Sequence, residues 1–384
     1  MPVATIPLSL HELTVKNFRG IEQLHLEELP DVAPWIFLTG ENSFGKTTLL
    51  QALALGLNGY WEDHTLQIQR SERPEISVGL TADGVKITLQ PENLLTLEDG
   101  QPVDSGSRFI TQHWFAAYGA QRTTLQAADS QNKANVAASP TYGLFKPDGM
   151  LKNIEYELLI SSFDNKPRFE AIIHMLKSLI PSLHDIAVKD RVVWYTEKDE
   201  DGKLFPSTSF DKLAMGAKGL VAMAGDIYLR LSGGSNSYLQ TNDLSGIVLI
   251  DELDAHLHPK WQRNIPGLLS AVFPKVQFIA STHSPIPLLG APEGSVFFKV
   301  HRSAEEGVTV ARLDITPDGL TPNVLLTSPL FDFDEIVGGE LKNGHSARTE
   351  DFFSDLKFHD RLKQEVADLA KKGGSNLEKL FGGG

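Results

Sequence analysis

The chain contains no cysteine among its 384 residues. Disulfides, zinc sites built on thiolates and cysteine nucleophiles are therefore excluded. The first ten residues, MPVATIPLSL, lack the basic start and continuous apolar core of a signal peptide, and no apolar run approaches the ~20 residues that a membrane-spanning helix needs. We expect a cytoplasmic protein without a membrane span.

The chain also lacks an excess of basic residues. It carries 35 lysines and arginines against 49 acids, which gives a formal net charge of −14 at pH 7. A surface that is basic overall is excluded, so any contact with DNA has to use a local patch or a partner. The 41% hydrophobic and 22% charged residues are typical of a globular protein. There is no internal repeat and no long heptad run, which excludes a solenoid and an extended coiled-coil arm.

Alternating or continuous apolar runs predict strands, and apolar residues spaced by three and four predict helices. An Asp-Gly pair between two alternating runs is a hairpin signal. The elements predicted in this way are strands at 8–16 and 35–39 around a loop at 17–20, a hairpin turning at Asp83 and Gly84, a mobile surface loop at 129–141, two helices on either side of 165–167, and a strand at 192–196.

Residues 40–47, GENSFGKT, match the phosphate-binding pattern G-x-x-x-x-G-K-[ST] between a predicted strand and a predicted helix. In such a loop, backbone N–H groups surround phosphate oxygens and the helix N-terminus adds partial positive charge. Lys46 is expected to neutralise the outer phosphates, and the Thr47 hydroxyl to hold Mg²⁺. The motif predicts a nucleoside triphosphate site formed by Gly40, Glu41, Asn42, Ser43, Phe44, Gly45, Lys46 and Thr47.

Residues 247–254, IVLIDELD, are an apolar run that ends in acids, which predicts a buried parallel strand whose carboxyl end faces the nucleotide. Asp251 is the candidate for the Mg²⁺ shell, and Glu252 for orienting and deprotonating the attacking water. The alternative is that these acids cap the following helix. A further strand, VQFIAS at 276–281, ends beside His283, which we interpret as a sensor of the γ-phosphate instead of a polar residue of the core.

The motifs LTVKNFRGI, GENSFGKTT, AYGAQR, LAMGAKGL, IDELDAHLHP and STHSP occur in an order that resembles the ABC-type ATPase heads of the SMC, RecF and OLD group, over residues 8–330. More narrowly, the chain is similar to the compact bacterial antiphage-defence ATPases that include PtuA of the Septu system. The resemblance implies ATP and Mg²⁺ as cofactors, with the phosphates held from Gly40 to Thr48 and Arg19 near the nucleotide. It also implies that Asp254 faces a second subunit and that His283 is the switch histidine.

In this family a glutamine couples the metal to the helical lobe. Gln121 in AYGAQR and Gln112 are both candidates for that metal-linked role, and the sequence does not separate them. The neighbouring Arg122 either reaches a phosphate or lies on the surface.

Heads of this family pair so that a signature loop of one subunit closes the phosphate loop of the other. That loop has to lie at a helix start, where N–H groups and the helix dipole face the γ-phosphate. RLSGGS at 230–235 follows a helical run and is interpreted as a helix C-terminal stop. The better match is LAMGAKG at 213–219, in which Gly216 allows close backbone approach. Ala214 replaces the family's serine and lacks a hydrogen bond worth about 1.5–3 kcal/mol, which predicts slow turnover unless the backbone amides suffice.

These observations predict an α/β P-loop fold of ABC-ATPase type, with a mixed sheet core, an antiparallel β subdomain and a helical subdomain. The tail places Leu362, Val366 and Leu369 on one helical face, which predicts a helix that packs on the head or docks a second protein. The predicted divisions are a head at 1–330, with a phosphate-loop lobe at 1–128, a helical subdomain at 129–205 and a signature lobe at 206–330, and a C-terminal helical extension at 331–384.

The leading hypothesis is an ATPase that forms a homodimer or higher even oligomer around ATP. It regulates or powers a partner effector, such as an HNH or other nuclease, in bacterial antiphage defence. The alternative is a RecF-like ATPase of DNA maintenance that clamps duplex DNA when ATP closes the dimer, with the steep salt dependence of phosphate contacts. A third hypothesis, suggested by Ala214, is a binding module in which the nucleotide is structural.

Overall fold

The computed structural model describes residues 6–27, 29–30, 32–41, 43–58, 74–89, 114–126, 139–147, 149–233 and 240–313, with single residues at 315, 317, 322, 325 and 331. The strands are β1 (Leu8–Phe18), β2 (Ile21–Leu26), β3 (Trp35–Thr39), β4 (Glu75–Ala82), β5 (Val85–Leu89), β6 (Phe115–Tyr118), β7 (Leu183–Lys189), β8 (Val192–Glu197), β9 (Ser245–Ile250), β10 (Lys275–Ser281), β11 (Val296–Ser303) and β12 (Gly307–Leu313). The helices are α1 (Lys46–Asn58), α2 (Tyr142–Phe145), α3 (Ile154–Asp164), α4 (Lys166–Leu179), α5 (Met215–Leu231) and α6 (Pro259–Val272).

A six-stranded sheet in the order β12-β11-β3-β10-β9-β6 forms the centre of the fold. All its neighbouring strands are parallel except the antiparallel pair β11 and β12. Side chains alternate between its two faces, so Trp35 and Phe37 join one core cluster while Ile36 and Leu38 join the other. Helices α3 to α6 cover the first face, and α1 with the smaller sheet of β1, β2, β4 and β5 covers the second. Because both faces are buried, the central strands are continuous apolar runs.

The smaller sheet is antiparallel, in the order β2-β1-β4-β5. Its predicted hairpin at Asp83 and Gly84 is confirmed, with both residues at positive φ, 49° and 81°. The predicted loop at 17–20 is shorter than expected, because β1 continues to Phe18, which pairs with the first residue of β2. Only Arg19 and Gly20 form the turn, at φ 47° and 86°, as a two-residue hairpin connection requires. Strand β2 was not predicted.

The two predicted helices are confirmed as α3 and α4, and the break between them has a local cause. The side chain of Asn165 accepts a hydrogen bond from the backbone N–H of Arg168 at 3.2 Å, so it caps α4. Asn153 caps α3 in the same way through the N–H of Tyr156 at 3.0 Å. The predicted strand at 192–196 is confirmed as β8, which pairs with β7 in a separate two-stranded sheet.

The predicted mobile surface loop at 129–141 is wrong at its C-terminal end. Thr141 is fully buried, and the carbonyl of Pro140 accepts a hydrogen bond of 3.0 Å from the N–H of Ala117 in β6. Residues 129–138 of that loop lie outside the described residues, as do Asn42, Gln112 and 332–384 of the predicted extension. The division of the head into lobes stays a prediction. No helix in the described part of the chain is both long and apolar enough to cross a membrane.

Candidate nucleotide site

The phosphate loop runs from the end of β3 to the start of α1, and two of its glycines are required by the strand hairpin beside it. Gly40 has φ 132°, and a Cβ there would lie 2.3 Å from the carbonyl oxygen of Val300. Gly45 has φ 100°, and its Cβ would lie 3.0 Å from the side chain of Val308. Strands β11 and β12 therefore press against the loop so closely that only glycine fits without strain.

Lys46 is buried at the first position of α1, and its ammonium group binds the backbone of the phosphate loop. Its Nζ donates hydrogen bonds of 2.8 Å to the carbonyl oxygens of Gly40 and Glu41. Burial lowers the pKa of Lys46 to about 8, although Asp251, Glu252 and other nearby acids act to raise it. A positive charge that burial disfavours is stabilised by an anion, which is the environment that a bound phosphate provides.

Thr47 and Asp251 meet across 204 positions of sequence. The Thr47 hydroxyl donates to Asp251 Oδ2 at 2.8 Å, and the Ser281 hydroxyl donates to Asp251 Oδ1 at 2.5 Å. Mg²⁺ prefers oxygen ligands at 2.0–2.1 Å in octahedral geometry, which sets adjacent ligand oxygens about 2.9 Å apart. The Thr47 and Asp251 oxygens have this chemistry and nearly this spacing, so the pair fits Mg²⁺.

Glu252 follows β9 in a left-handed backbone conformation, with φ 49°. Its N–H donates to Ser281 Oγ at 2.8 Å, and its side chain is half-buried. The alternative role of the acids as helix caps is wrong, because the N-cap of α6 is His258, whose Nδ1 accepts from the N–H of Lys260 at 3.3 Å. Asp251 and Glu252 instead lie at the carboxyl edge of the sheet beside the phosphate loop.

His283 lies just beyond β10, which runs between β3 and β9 in the sheet. Asp254 binds this segment: its Oδ1 accepts from the Thr282 hydroxyl at 2.6 Å and from the His283 N–H at 3.3 Å. Burial and the charge of Lys46 lower the pKa of His283, while the nearby acids act to raise it. The shift favours the neutral imidazole, and it shows that His283 lies close enough to Lys46 to interact with it electrostatically.

Arg19 and Phe44 are held at the two sides of the phosphate loop. Arg19 donates from Nη1 to Gln51 Oε1 at 2.5 Å, which ties the β1–β2 turn to α1, and its guanidinium lies 5.6 Å from the ring of Phe145. The ring of Phe44 meets His301 of β11 edge-on, with centroids 5.3 Å apart. The contacts of Arg19 and Phe44 with the nucleotide stay a prediction.

Arg122 was predicted to reach a phosphate or to lie on the surface, and the structure contradicts the surface alternative. It is buried and donates to backbone carbonyls: Nη1 to Gly119 and Asp251 at 3.1 and 2.8 Å, and Nη2 to Glu252 and Leu253 at 2.7 and 3.2 Å. Burial lowers its pKa to about 10, so it stays charged at neutral pH. The feature that could have indicated the burial of Arg122 was its position four residues after β6. That strand is too short to be recognised from the sequence.

Gln121 is exposed three residues beyond β6, on the segment that carries Arg122. Tyr118, the last residue of β6, accepts the Asp251 N–H at 2.8 Å, so this segment begins next to the acids. Because Gln112 lies outside the described residues, the choice between the two glutamines stays open.

The segment 213–219 begins helix α5, as predicted for a signature loop. Ala214 is the N-cap residue and makes no side-chain cap hydrogen bond, and Met215 after it is 57% exposed. A Cβ on Gly216 would lie 3.4 Å from the carbonyl oxygen of His256, in the loop that follows the acids. The interpretation of 230–235 as a helix stop is confirmed where it is described, because α5 ends at Leu231.

A phosphate-loop motif, an acidic strand end and a strand-end histidine lie at one edge of a mixed sheet with an antiparallel β subdomain beside it, and this arrangement resembles the ABC-type ATPases of the SMC and OLD group. The resemblance expected from the motifs is confirmed by comparison with known proteins. A family model described as "AAA domain, putative AbiEii toxin, Type IV TA system" matches residues 119–287, and one described as "AAA domain" matches residues 12–162.

Two relatives and one solved structure extend this comparison. The Septu protein PtuA of Bacillus mycoides (strain KBAB4) is 29% identical over 372 residues, covering 94% of this chain and 50% of its own length. The Septu protein PtuA of Bacillus thuringiensis is 25% identical over 298 residues, 72% of each chain. The SMC head domain from Thermotoga maritima aligns with a TM-score of 0.43 at 12% identity, over 80% of this chain and 99% of its own. The chain thus spans about half the length of the first of these relatives.

Proposed function

We propose that the chain binds ATP with Mg²⁺ and hydrolyses it at the carboxyl edge of the central sheet. The observation that carries this proposal is the 2.8 Å hydrogen bond between Thr47 and Asp251, beside the buried ammonium of Lys46. Two oxygen ligands for a hard cation and one cation for phosphate lie together at the start of a helix. This combination suits a triphosphate better than any neutral ligand.

In this proposal Lys46 exchanges its bonds to the Gly40 and Glu41 carbonyls for phosphate oxygens, with the N–H groups of the loop around them. Thr47 and Asp251 hold Mg²⁺, which when bound neutralises the charge that develops on the phosphates. Glu252 orients the attacking water and accepts its proton.

His283 supplies a hydrogen bond to the γ-phosphate in the same proposal. Burial lowers the pKa of the imidazole in the nucleotide-free protein, and a ring N–H is available to donate in either protonation state. Asp254 fixes the backbone of this histidine through the 3.3 Å bond from its N–H, and it also belongs to the loop that packs beside Gly216. The loop therefore connects the γ-phosphate side of the site to the start of α5.

We infer that a second copy of the chain completes the site with the N-terminus of its own α5. The first turn of α5 contains no acid and its N-cap contributes no side-chain acceptor, so its N–H groups are available to an anion. Gly216 allows the close approach that a γ-phosphate requires. Ala214 offers no hydroxyl there, which is why we expect slow turnover.

The proposed cellular role is control of a partner effector, such as an HNH or other nuclease, in antiphage defence. Its support is the similarity to Septu protein PtuA along 94% of this chain. Affinity purification of the tagged chain from its native cells with ATP present tests the role. Recovery of an effector that depends on ATP supports it, and recovery of this chain alone contradicts it.

Two substitutions test the ATPase proposal itself. We expect Glu252→Gln to abolish phosphate release while retaining ATP and accumulating the dimer, because the base is lost but the phosphate contacts remain. We expect Lys46→Ala to lose ATP binding. Phosphate release, nucleotide binding and light scattering after size exclusion measure these effects. If wild type and Glu252→Gln are equally inactive while both bind ATP, the nucleotide is structural and the ATPase proposal fails.

A further inference from the structure

The carboxyl end of β9 is held from two sides. Tyr118 and Ser281, at the ends of the neighbouring strands, accept the backbone N–H groups of Asp251, Glu252 and Leu253 at 2.8, 2.8 and 2.9 Å. The carbonyl groups of the same three residues accept hydrogen bonds from the guanidinium of Arg122.

Glu252 needs such support because its backbone is strained. A side chain at φ 49° lies in the left-handed region, where a residue other than glycine costs about 1–2 kcal/mol. Residues in such conformations persist only where the surroundings determine them, and they concentrate at functional sites. The 2.7 Å bond from Arg122 to the Glu252 carbonyl and the 2.8 Å bond from the Glu252 N–H to Ser281 hold the two peptide groups that flank the Cα of this residue.

Arg122 has little capacity left for any other ligand. A guanidinium has five N–H donors, and four hydrogen bonds from its two terminal nitrogens go to the carbonyls of Gly119 and of residues 251–253. The side chain is only 6% exposed. Reaching a phosphate would remove this donor from the buried carbonyls of Gly119, Asp251 and Leu253, at a cost of about 1–3 kcal/mol for each one left unpaired, whereas the Glu252 carbonyl also accepts from the Ala255 N–H at 2.9 Å.

We propose that Arg122 is a positioning residue that fixes the left-handed turn at Glu252, and so sets the direction from which this carboxylate meets the attacking water. The inference rests on the proposed ATPase function. The planar fork of arginine is the feature that matters, because a lysine carries one nitrogen with three donors and does not span four carbonyls.

Arg122→Lys tests the proposal, because it keeps the charge and removes the fork. We expect kcat to fall about 10- to 100-fold, as for a misplaced catalytic group, while the dissociation constant for ATP changes less than about threefold. We also expect faster amide hydrogen exchange in the peptide covering residues 247–257, measured without nucleotide. Arg168→Lys is the matched control, since Arg168 is also 6% exposed but lies over the ring of Tyr228 in the helical region.

An Arg122→Lys variant with wild-type kcat and wild-type exchange overturns the proposal, and so does a variant that loses ATP affinity in proportion to kcat. The wild-type protein crystallised with a non-hydrolysable ATP analogue decides the matter even if the variant does not fold. There the guanidinium is expected on the carbonyls of residues 251–253, and finding it on a phosphate refutes the inference. Wild-type protein without ATPase activity rejects the proposed function alone, because the exchange and crystallographic results do not depend on turnover.

Discussion

Restoring a hydroxyl at the start of α5 is expected to tighten the ATP-bound dimer. Ala214 is the N-cap of this 17-residue helix and makes no side-chain cap bond. If the proposed pairing holds, the new hydroxyl of Ala214→Ser is expected to reach the γ-phosphate held by the other subunit, and a hydrogen bond to a charged group contributes about 1.5–3 kcal/mol. That is about 10- to 100-fold in affinity per contact, so the dissociation constant of the dimer should fall at least about tenfold.

The assay is analytical ultracentrifugation with ATP in a Glu252→Gln background, where hydrolysis does not deplete the ligand. Ala214→Gly is the matched control, because glycine is nearly as good an N-cap as serine but has no hydroxyl. Both variants should stabilise the monomer, by about 1 kcal/mol for serine, whereas only serine should tighten the dimer. If serine and glycine change the dimer constant equally, or neither changes it, the start of α5 does not contact the γ-phosphate and the proposed pairing is wrong.

Two further predictions concern the phosphate loop. The pKa of Lys46 is about 8 without nucleotide, and ATP binds the charged form, so ATP affinity should fall as pH rises above about 8. Calorimetric titration at pH 8.5 in buffers of different ionisation enthalpy should show proton uptake on binding, and its absence contradicts the lowered pKa. Gly40→Ala should lose ATP binding and lower the melting temperature, because its Cβ would lie 2.3 Å from the Val300 carbonyl oxygen. Gly84→Ala, also at positive φ but with no atom within 4 Å, should keep ATP binding, and an equal loss in both variants argues against the clash.

Elements that depend on residues close together in the sequence were predictable from it. The strand and helix on either side of 40–47, the hairpin at Asp83 and Gly84 and the helix pair around Asn165 each follow from sequence patterns a few positions long, and the structure confirms them. The distinction between 213–219 and 230–235 was also predictable, because a helix start and a helix stop require different neighbours.

Elements that depend on contacts between residues far apart in the sequence were not predictable. Strand β6 is four residues long, too short for a periodic signal, yet it positions Tyr118 against Asp251. The place of β10 between β3 and β9 depends on pairing across the whole chain. The sequence predicts a longer loop between β1 and β2 than the two-residue turn in the structure, because a pair of residues at positive φ has little effect on local composition.

The sequence by itself determined that a phosphate-loop motif, a pair of acids and a histidine occur on this chain, since each is a contiguous pattern. Only the tertiary structure decided that Arg122 is buried against the acids and that the Val300 carbonyl leaves room for nothing but glycine at Gly40. Such contacts join residues more than a hundred positions apart, and their energies depend on burial and direction, which are properties of the folded chain.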